Sequence, residues 1–236
     1  MSRSSIKPEE LTAVILCGGK GERLRPFTDK YPKPLVPLLD KPLLQHLVEF
    51  LHRQGIRKFV LCVGYKAEMV EEFVEKTLAG QGMDIILSNA GDAPIPARLE
   101  KARVHVDGPA LVCYGDTVAN VSISGLCDFH NGIDAGATMT VYPLRSQFGI
   151  VDIENNLAVG FREKPDLPYH INIGFFIISK AVIDTAGQYP EMSPWLEHLA
   201  GNSNLSAYVH KGKHLTVNTE KERQTAEAEI IELYTL

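Results

Sequence analysis

The apolar run Ala13-Val14-Ile15-Leu16 breaks almost at once into three glycines, Gly18, Gly19 and Gly21. A short, uninterrupted apolar run is what a strand buried on both faces of a parallel sheet requires, so the glycines fall at the carboxyl edge of such a sheet. Without Cβ atoms, this loop can take up positive φ, come close to a ligand and turn its N–H groups towards anionic oxygens. Charge gathers in the same stretch. Between Lys20 and Lys41, six cations (Lys20, Arg23, Arg25, Lys30, Lys33, Lys41) stand against three acids (Glu22, Asp29, Asp40), in a chain whose formal net charge is −5. Phosphate is the anion this pattern suits.

Two commoner glycine motifs fail. A dinucleotide fingerprint needs glycine where the chain has Leu24, and a Walker loop needs Ser or Thr after Gly19-Lys20, where the chain has Gly21. The glycines alone are equally compatible with a turn and a solvated basic rim. The prolines downstream argue for a positioned charge: Pro26, Pro32, Pro34 and Pro37 stiffen the chain around Lys33, which is expected on a rigid extended segment.

The segment 18–35 resembles the signature of the nucleotide-sugar pyrophosphorylases, GG-x-G-x-RL-x-P-x-T followed by PKPL, with every fixed position filled. Its one departure is Cys17, where alanine is usual. Within that family the chain is most similar to glucose-1-phosphate cytidylyltransferases, through 62–73, 114–123, 148–153 and 171–176. The resemblance implies that a sugar-1-phosphate oxygen attacks the α-phosphorus of a nucleoside triphosphate, giving a nucleotide-sugar and pyrophosphate. Two anions must then be held in line, which preset cations and backbone donors do without reorganising.

By match to the signature, Leu16, Cys17, Gly18, Gly19, Gly21 and Gly115 form the nucleotide cradle, Arg23 contacts the triphosphate and Lys33 holds the α-phosphate. The resemblance places Asp116 as catalytic carboxylate and Mg²⁺ ligand. Magnesium suits a few carboxylates plus phosphate oxygens and water. Glu163-Lys164-Pro165 resembles the family's E-K-P, whose lysine grips the sugar phosphate. Asn172 resembles the asparagine that orients sugar hydroxyls, and Gly149 the glycine against which the sugar ring lies. There are two departures. Pro96-Ala97-Arg98-Leu99 stands where the cytidylyltransferases have Gly-Gly-Arg-Leu, so Arg98 is expected to meet the nucleotide on a stiffer backbone. Asn218 stands where the family has a second metal-binding aspartate. An amide oxygen coordinates magnesium without contributing charge. Two alternatives stay open, the same chemistry on a non-sugar phosphate or phosphonate acceptor, and a non-catalytic nucleotide-binding homologue.

Downstream periodicity alternates strand with helix. Helical spacing runs over 42–54, closed by Gly55, and over 67–78 and 98–106; strands are expected at 59–63, 85–87 and 110–114. This predicts an α/β, doubly wound, mostly parallel sheet with ligands beyond the carboxyl ends of its strands, where Gly18 and Asp116 both fall. The later runs 138–142, 149–153, 158–161 and 173–178 have short connections and predict antiparallel additions covering the acceptor site. A helix is expected at 220–234. No hexapeptide repeat follows it, so the β-helix acyltransferase domain of some family members is not expected. The organisation expected is a flexible 1–10 and one nucleotidyltransferase domain at 11–236, with a nucleotide-binding half (11–120) and an acceptor-binding half (121–236).

Composition limits the partners. With 44% hydrophobic and 22% charged residues and a pI near 5.9, the chain offers no basic run for nucleic acid or acidic membranes. Its polar N-terminus is neither signal peptide nor anchor, which predicts a cytoplasmic protein. Cys17, Cys62, Cys113 and Cys127 lack ligand spacing and read as reduced core thiols. The same holds for the histidines: His46 and His52 read as packing or surface residues, not metal ligands. Trp195, the only tryptophan, reads as buried core. Nothing in the sequence excludes a homo-oligomer.

Overall fold

The computed structural model describes residues 5–234. Its centre is a seven-stranded sheet in the order Leu205–Val209, Ala137–Arg145, Asp166–Ile178, Ala110–Tyr114, Thr12–Leu16, Lys58–Val63, Asp84–Asn89. Only Asp166–Ile178 runs against the others, pairing antiparallel with both of its neighbours. The sheet is therefore mostly parallel, and it passes through both halves of the chain. Leu205–Val209, unanticipated from sequence, adds in parallel at one edge.

Alternate side chains of each central strand serve opposite layers. From Thr12–Leu16, Ala13 and Ile15 face the layer holding Leu44, Leu47, Val48 and Leu51 of the helix Leu43–Arg53. Val14 faces Leu99 and Ala102 of Ile95–Ala102 and Trp195 and Leu199 of Met192–Gly201. Both faces are covered by helices, which is why the central strands read as continuous apolar runs. Trp195 is fully buried, and its indole N–H donates to the Thr185 hydroxyl at 3.0 Å.

A third, smaller core matters most for the site. Leu24, Val36 and Leu38 from the loop after the glycines pack with Val118, Val217, Ala226 and Ile230. Two short strands not expected from the sequence, Thr117–Ala119 and His214–Thr216, pair antiparallel within it. The helix Glu220–Tyr234 closes the cluster. Three stretches distant in sequence are thereby tied together at one edge of the sheet.

Several local expectations change. Lys33 opens a 3₁₀ turn, Lys33–Leu35, instead of lying in extended chain; Pro34 sits in its first turn, where a missing N–H costs nothing. The 67–78 helix is α only over Ala67–Phe73 and widens into a π turn at Val74–Leu78, keeping Val74 and Leu78 in the core. The helix expected from Arg98 begins at Ile95, after Pro94. The strand Asp166–Ile178 starts well before its apolar part, because Pro168 and the polar residues around it hid that half. Of the segment expected to be flexible, residues 1–4 lie outside the described residues. Ile6 is held by Asn131, which accepts from its N–H at 2.9 Å and donates to its carbonyl at 3.0 Å.

Candidate active site

A cleft of about 870 Å³ opens at the carboxyl edge of the sheet. Its floor is the strand ends and loop Leu16 to Gly19, with Gly21, Gly115 and Asp116, so the expected cradle residues converge there. Burial holds the Cys17 thiol well above its usual pKa, with the neighbouring Cys62 and Asp116 adding to the effect. Cys62 and Cys127 are pushed up by burial to about 12, and Cys113 is raised likewise. These are protonated, unreactive core thiols.

The glycine loop is braced from below by Arg98. Its guanidinium donates to the carbonyls of Ala93 at 2.7 Å, Gly18 at 3.2 Å and Val63 at 3.3 Å. A Cβ on Gly18 would lie 1.4 Å from this guanidinium, so only glycine permits the approach. Arg98 lines the cleft, as expected of a nucleotide-binding residue, and three of its five N–H donors also support the loop through backbone carbonyls. It is 5% exposed and makes no ion pair among the described residues, although its charge reaches Asp92, whose carboxyl pKa is lowered chiefly by Lys20 and further by Arg98. Positive potential under the loop is therefore left for an anion above it. Pro96 and Ala97 are helical here, so the stiffening read from sequence takes the form of a helix carrying this arginine.

Gly21, at φ +63°, starts the 3₁₀ turn Glu22–Leu24 that carries Arg23. Arg23, Lys33, Asp116 and Asn218 then meet. The Lys33 ammonium donates to Asp116 Oδ2 at 2.6 Å and to Asn218 Oδ1 at 2.8 Å. Arg23 Nη2 donates to the same amide oxygen at 3.3 Å. Lys33 is only 9% exposed, which gives its interactions more weight than those of a surface lysine. Asn218 is itself fixed, because its N–H donates to the Glu222 carboxylate at 2.7 Å at the start of the helix Glu220–Tyr234. Asp116 and Asn218 thus present two oxygens that converge on the Lys33 ammonium, and the pair fits magnesium, with phosphate oxygens and water completing it, only when that ammonium has turned away from them. Among the described residues, no group of three or more His, Cys, Asp or Glu could hold a metal without such help.

The residues expected to meet the acceptor are less gathered. Glu163 and Lys164 stand at the foot of the hairpin formed by Ile150–Glu154 and Leu157–Arg162, 4.0 Å apart and largely exposed. Gly149 lies beside them, where a Cβ would meet Phe161 and Glu163. None of the three lines the main cleft. Asn172 is linked to the cleft through Tyr114, whose hydroxyl accepts from Asn172 Nδ2 at 3.1 Å.

The structure adds cleft residues that sequence reasoning missed: Asp92 to Ile95, Tyr114 and Glu191. Tyr114 had a usable signal, since it ends a buried strand directly before Gly115-Asp116. Asp92 ion-pairs with Lys20 at 2.9 Å across the cleft mouth, an exposed contact of small energetic weight. Glu191 arrives from the start of the helix Met192–Gly201 by long-range packing alone.

Comparison with known proteins places this geometry. The sequence pattern of the family described as "Nucleotidyl transferase" matches residues 12–223. An enzyme of Bacillus subtilis (strain 168) named "Probable glucose-1-phosphate cytidylyltransferase" is 32% identical over 236 aligned residues, covering 89% of this chain and 92% of that protein. The glucose-1-phosphate cytidylyltransferase of Salmonella typhi is 31% identical, covering 90% and 93%. Among solved structures, HddC from Yersinia pseudotuberculosis, complexed with GMP-PN, shares the fold with a TM-score of 0.71 at 22% identity, covering 93% of this chain and 99% of its own. With its glycine loop, paired cations and strand-end aspartate on this sheet, the chain belongs to the nucleotidyl transferase family, among the sugar-1-phosphate nucleotidyltransferases.

Proposed function

We propose that the protein joins a nucleoside triphosphate, CTP by its likeness to the Bacillus and Salmonella enzymes, to a sugar-1-phosphate, releasing pyrophosphate. The observation that carries this reading is the convergence of Lys33, Arg23, Asp116 and Asn218 on one point beside the glycine loop. The loop N–H groups and Arg23 bind the triphosphate and offset the charge of the leaving pyrophosphate. Lys33, held between Asp116 and Asn218, meets the α-phosphate and neutralises charge as the acceptor oxygen attacks. Glu163, Lys164, Gly149 and Asn172 receive the acceptor, with Lys164 on its phosphate. Asp116 and Asn218 would hold Mg²⁺ once the Lys33 ammonium has turned from them to the α-phosphate, and the ion would supply charge neutralisation there.

The choice of cytidine rests on the similarity to the Bacillus and Salmonella enzymes and on the strings shared with their kind. A cytoplasmic location fits the protonated buried thiols and the triphosphate substrate. Asn218 favours one rival, a homologue that binds nucleotide without turnover, because it lacks the charge of an aspartate. The test is pyrophosphate release from purified protein with Mg²⁺, each ribonucleoside triphosphate or dTTP, and a pool of sugar-1-phosphates. Release requiring both CTP and a sugar-1-phosphate is expected. Intact triphosphate binding without release from any pairing would replace transfer by the rival.

A further inference from the structure

Tyr114 ends the strand Ala110–Tyr114 and lines the cleft next to Gly115 and Asp116, yet none of the proposed phosphate-handling steps uses it. Its surroundings are built around it. Its hydroxyl accepts a hydrogen bond from Asn172 Nδ2 at 3.1 Å, and Asn172 Oδ1 accepts from the Gly174 N–H at 2.8 Å, which fixes the orientation of the amide. Gly174 sits at φ +80°, and a Cβ there would lie 2.2 Å from the Tyr114 ring. Phe176 packs edge-on against the same ring, with centroids 6.0 Å apart at 71°. The chain thus uses a left-handed glycine and an irregularity in its one antiparallel central strand to seat this ring.

The phenolic oxygen is occupied by an N–H donor, so its own O–H remains to donate, and among the described residues it has no acceptor. A donor fixed at both ring and oxygen, at the junction of the nucleotide cleft and the acceptor half, is suited to reading an acceptor oxygen.

We propose that Tyr114 is a specificity-determining residue whose hydroxyl donates to one ring hydroxyl of the sugar-1-phosphate, with Asn172 as the positioning residue that holds it. This rests on the reading of the protein as a sugar-1-phosphate enzyme. A site built around such a hydrogen bond rejects an analogue lacking the partner oxygen far more strongly than an apolar pocket would.

The test compares wild type with Tyr114→Phe, which keeps the ring packed under Gly174, across the preferred sugar-1-phosphate and its series of monodeoxy analogues. Wild type is expected to discriminate against one analogue by about 100-fold in kcat/KM, and Tyr114→Phe to reduce that single ratio to about threefold, with triphosphate KM unchanged. Asn172→Ala should blunt the same ratio, together with any loss of its own contact with the acceptor. Equal losses on every analogue, with the wild-type ratios preserved, would make Tyr114 a structural prop and overturn the proposal. A wild type that turns over no sugar-1-phosphate would instead end the reading of the reaction, and this proposal with it.

Discussion

The proposed phosphate end and the proposed acceptor end of this molecule are organised differently, although both lie at the carboxyl edge of one sheet. At the phosphate end each functional group is held by another. Arg98 braces Gly18, Asp116 and Asn218 hold Lys33, and Glu222 holds Asn218. At the acceptor end, Glu163 and Lys164 rise from a two-stranded hairpin of which Val151, Ile153, Val159 and Phe161 are exposed. Arg162 and Asp152 form a bidentate ion pair on that hairpin, but it is open to solvent. A two-stranded ribbon is marginal by itself. Under the proposed reaction, the groups for the transferring phosphate are preset and the acceptor's contacts are left to form around the acceptor, as expected where electrostatic preorganisation gives most of the rate and the second substrate must still enter.

The strongest challenge to this contrast is Lys33→Ala. Removing a preset cation from the reacting phosphate should lower kcat on the order of 10³-fold. The measurement is steady-state pyrophosphate release, with circular dichroism to confirm the fold. A loss under tenfold would mean that the phosphate end is not where the charge is stabilised.

Arg98→Ala comes next, because removing a buried guanidinium takes a donor from three carbonyls, of which that of Gly18 keeps the Tyr65 N–H at 3.2 Å. A destabilisation of about 2–4 kcal/mol is expected in chemical denaturation, together with a raised triphosphate KM. A change in KM with stability untouched would make Arg98 a direct nucleotide ligand instead of a brace. Lys164→Ala should be milder, raising acceptor KM by about tenfold and leaving triphosphate KM alone, the scale of one charge-assisted hydrogen bond on an exposed site. The reverse pattern would put Lys164 on the nucleotide and dissolve the division into two ends. Asn218→Asp should lower the Mg²⁺ concentration at half-maximal rate by a few-fold, about the effect of one added carboxylate. An unchanged requirement would remove residue 218 from the metal site.

How far each end could be read in the sequence follows the same division. Gly18 to Lys33 is local: strand, glycines and cations are contiguous, so Arg23 and Lys33 were legible from the amino-acid order alone. Asp116 was legible because, with Gly115, it directly follows a buried strand that ends at Tyr114. The meeting of Lys33 with Asn218 was not, since it depends on the packing of Val118 with Val217 and on a ribbon of three residues a side. The polar start of Asp166–Ile178 was hidden because its side chains are mostly exposed and carry no alternation. The role of Arg98 needed its three carbonyl partners, which are 80, 35 and 5 residues away.

The smallest effect concerns that ribbon. His214 pairs with Ala119, and its imidazole is pushed down to about 4 by burial, with the charge of His210 adding to the effect. His210 is itself lowered by burial, and Tyr142 faces both rings. An unfolded histidine titrates near about 6.5, so between that pH and about 4 the unfolded chain takes up a proton that the native state refuses. Stability should therefore fall as pH falls through this window and level off, for this group, below it. His214→Gln removes the titration, and the slope of thermal midpoint against pH from about 7 to about 5 should flatten relative to wild type. Because the ribbon joins the element after Asp116 to the one before Asn218, activity at the acid end of that range should recover in the same variant. A flattened slope without that recovery would detach the ribbon from the meeting of those two residues, and leave the third hydrophobic cluster alone to hold the phosphate end together.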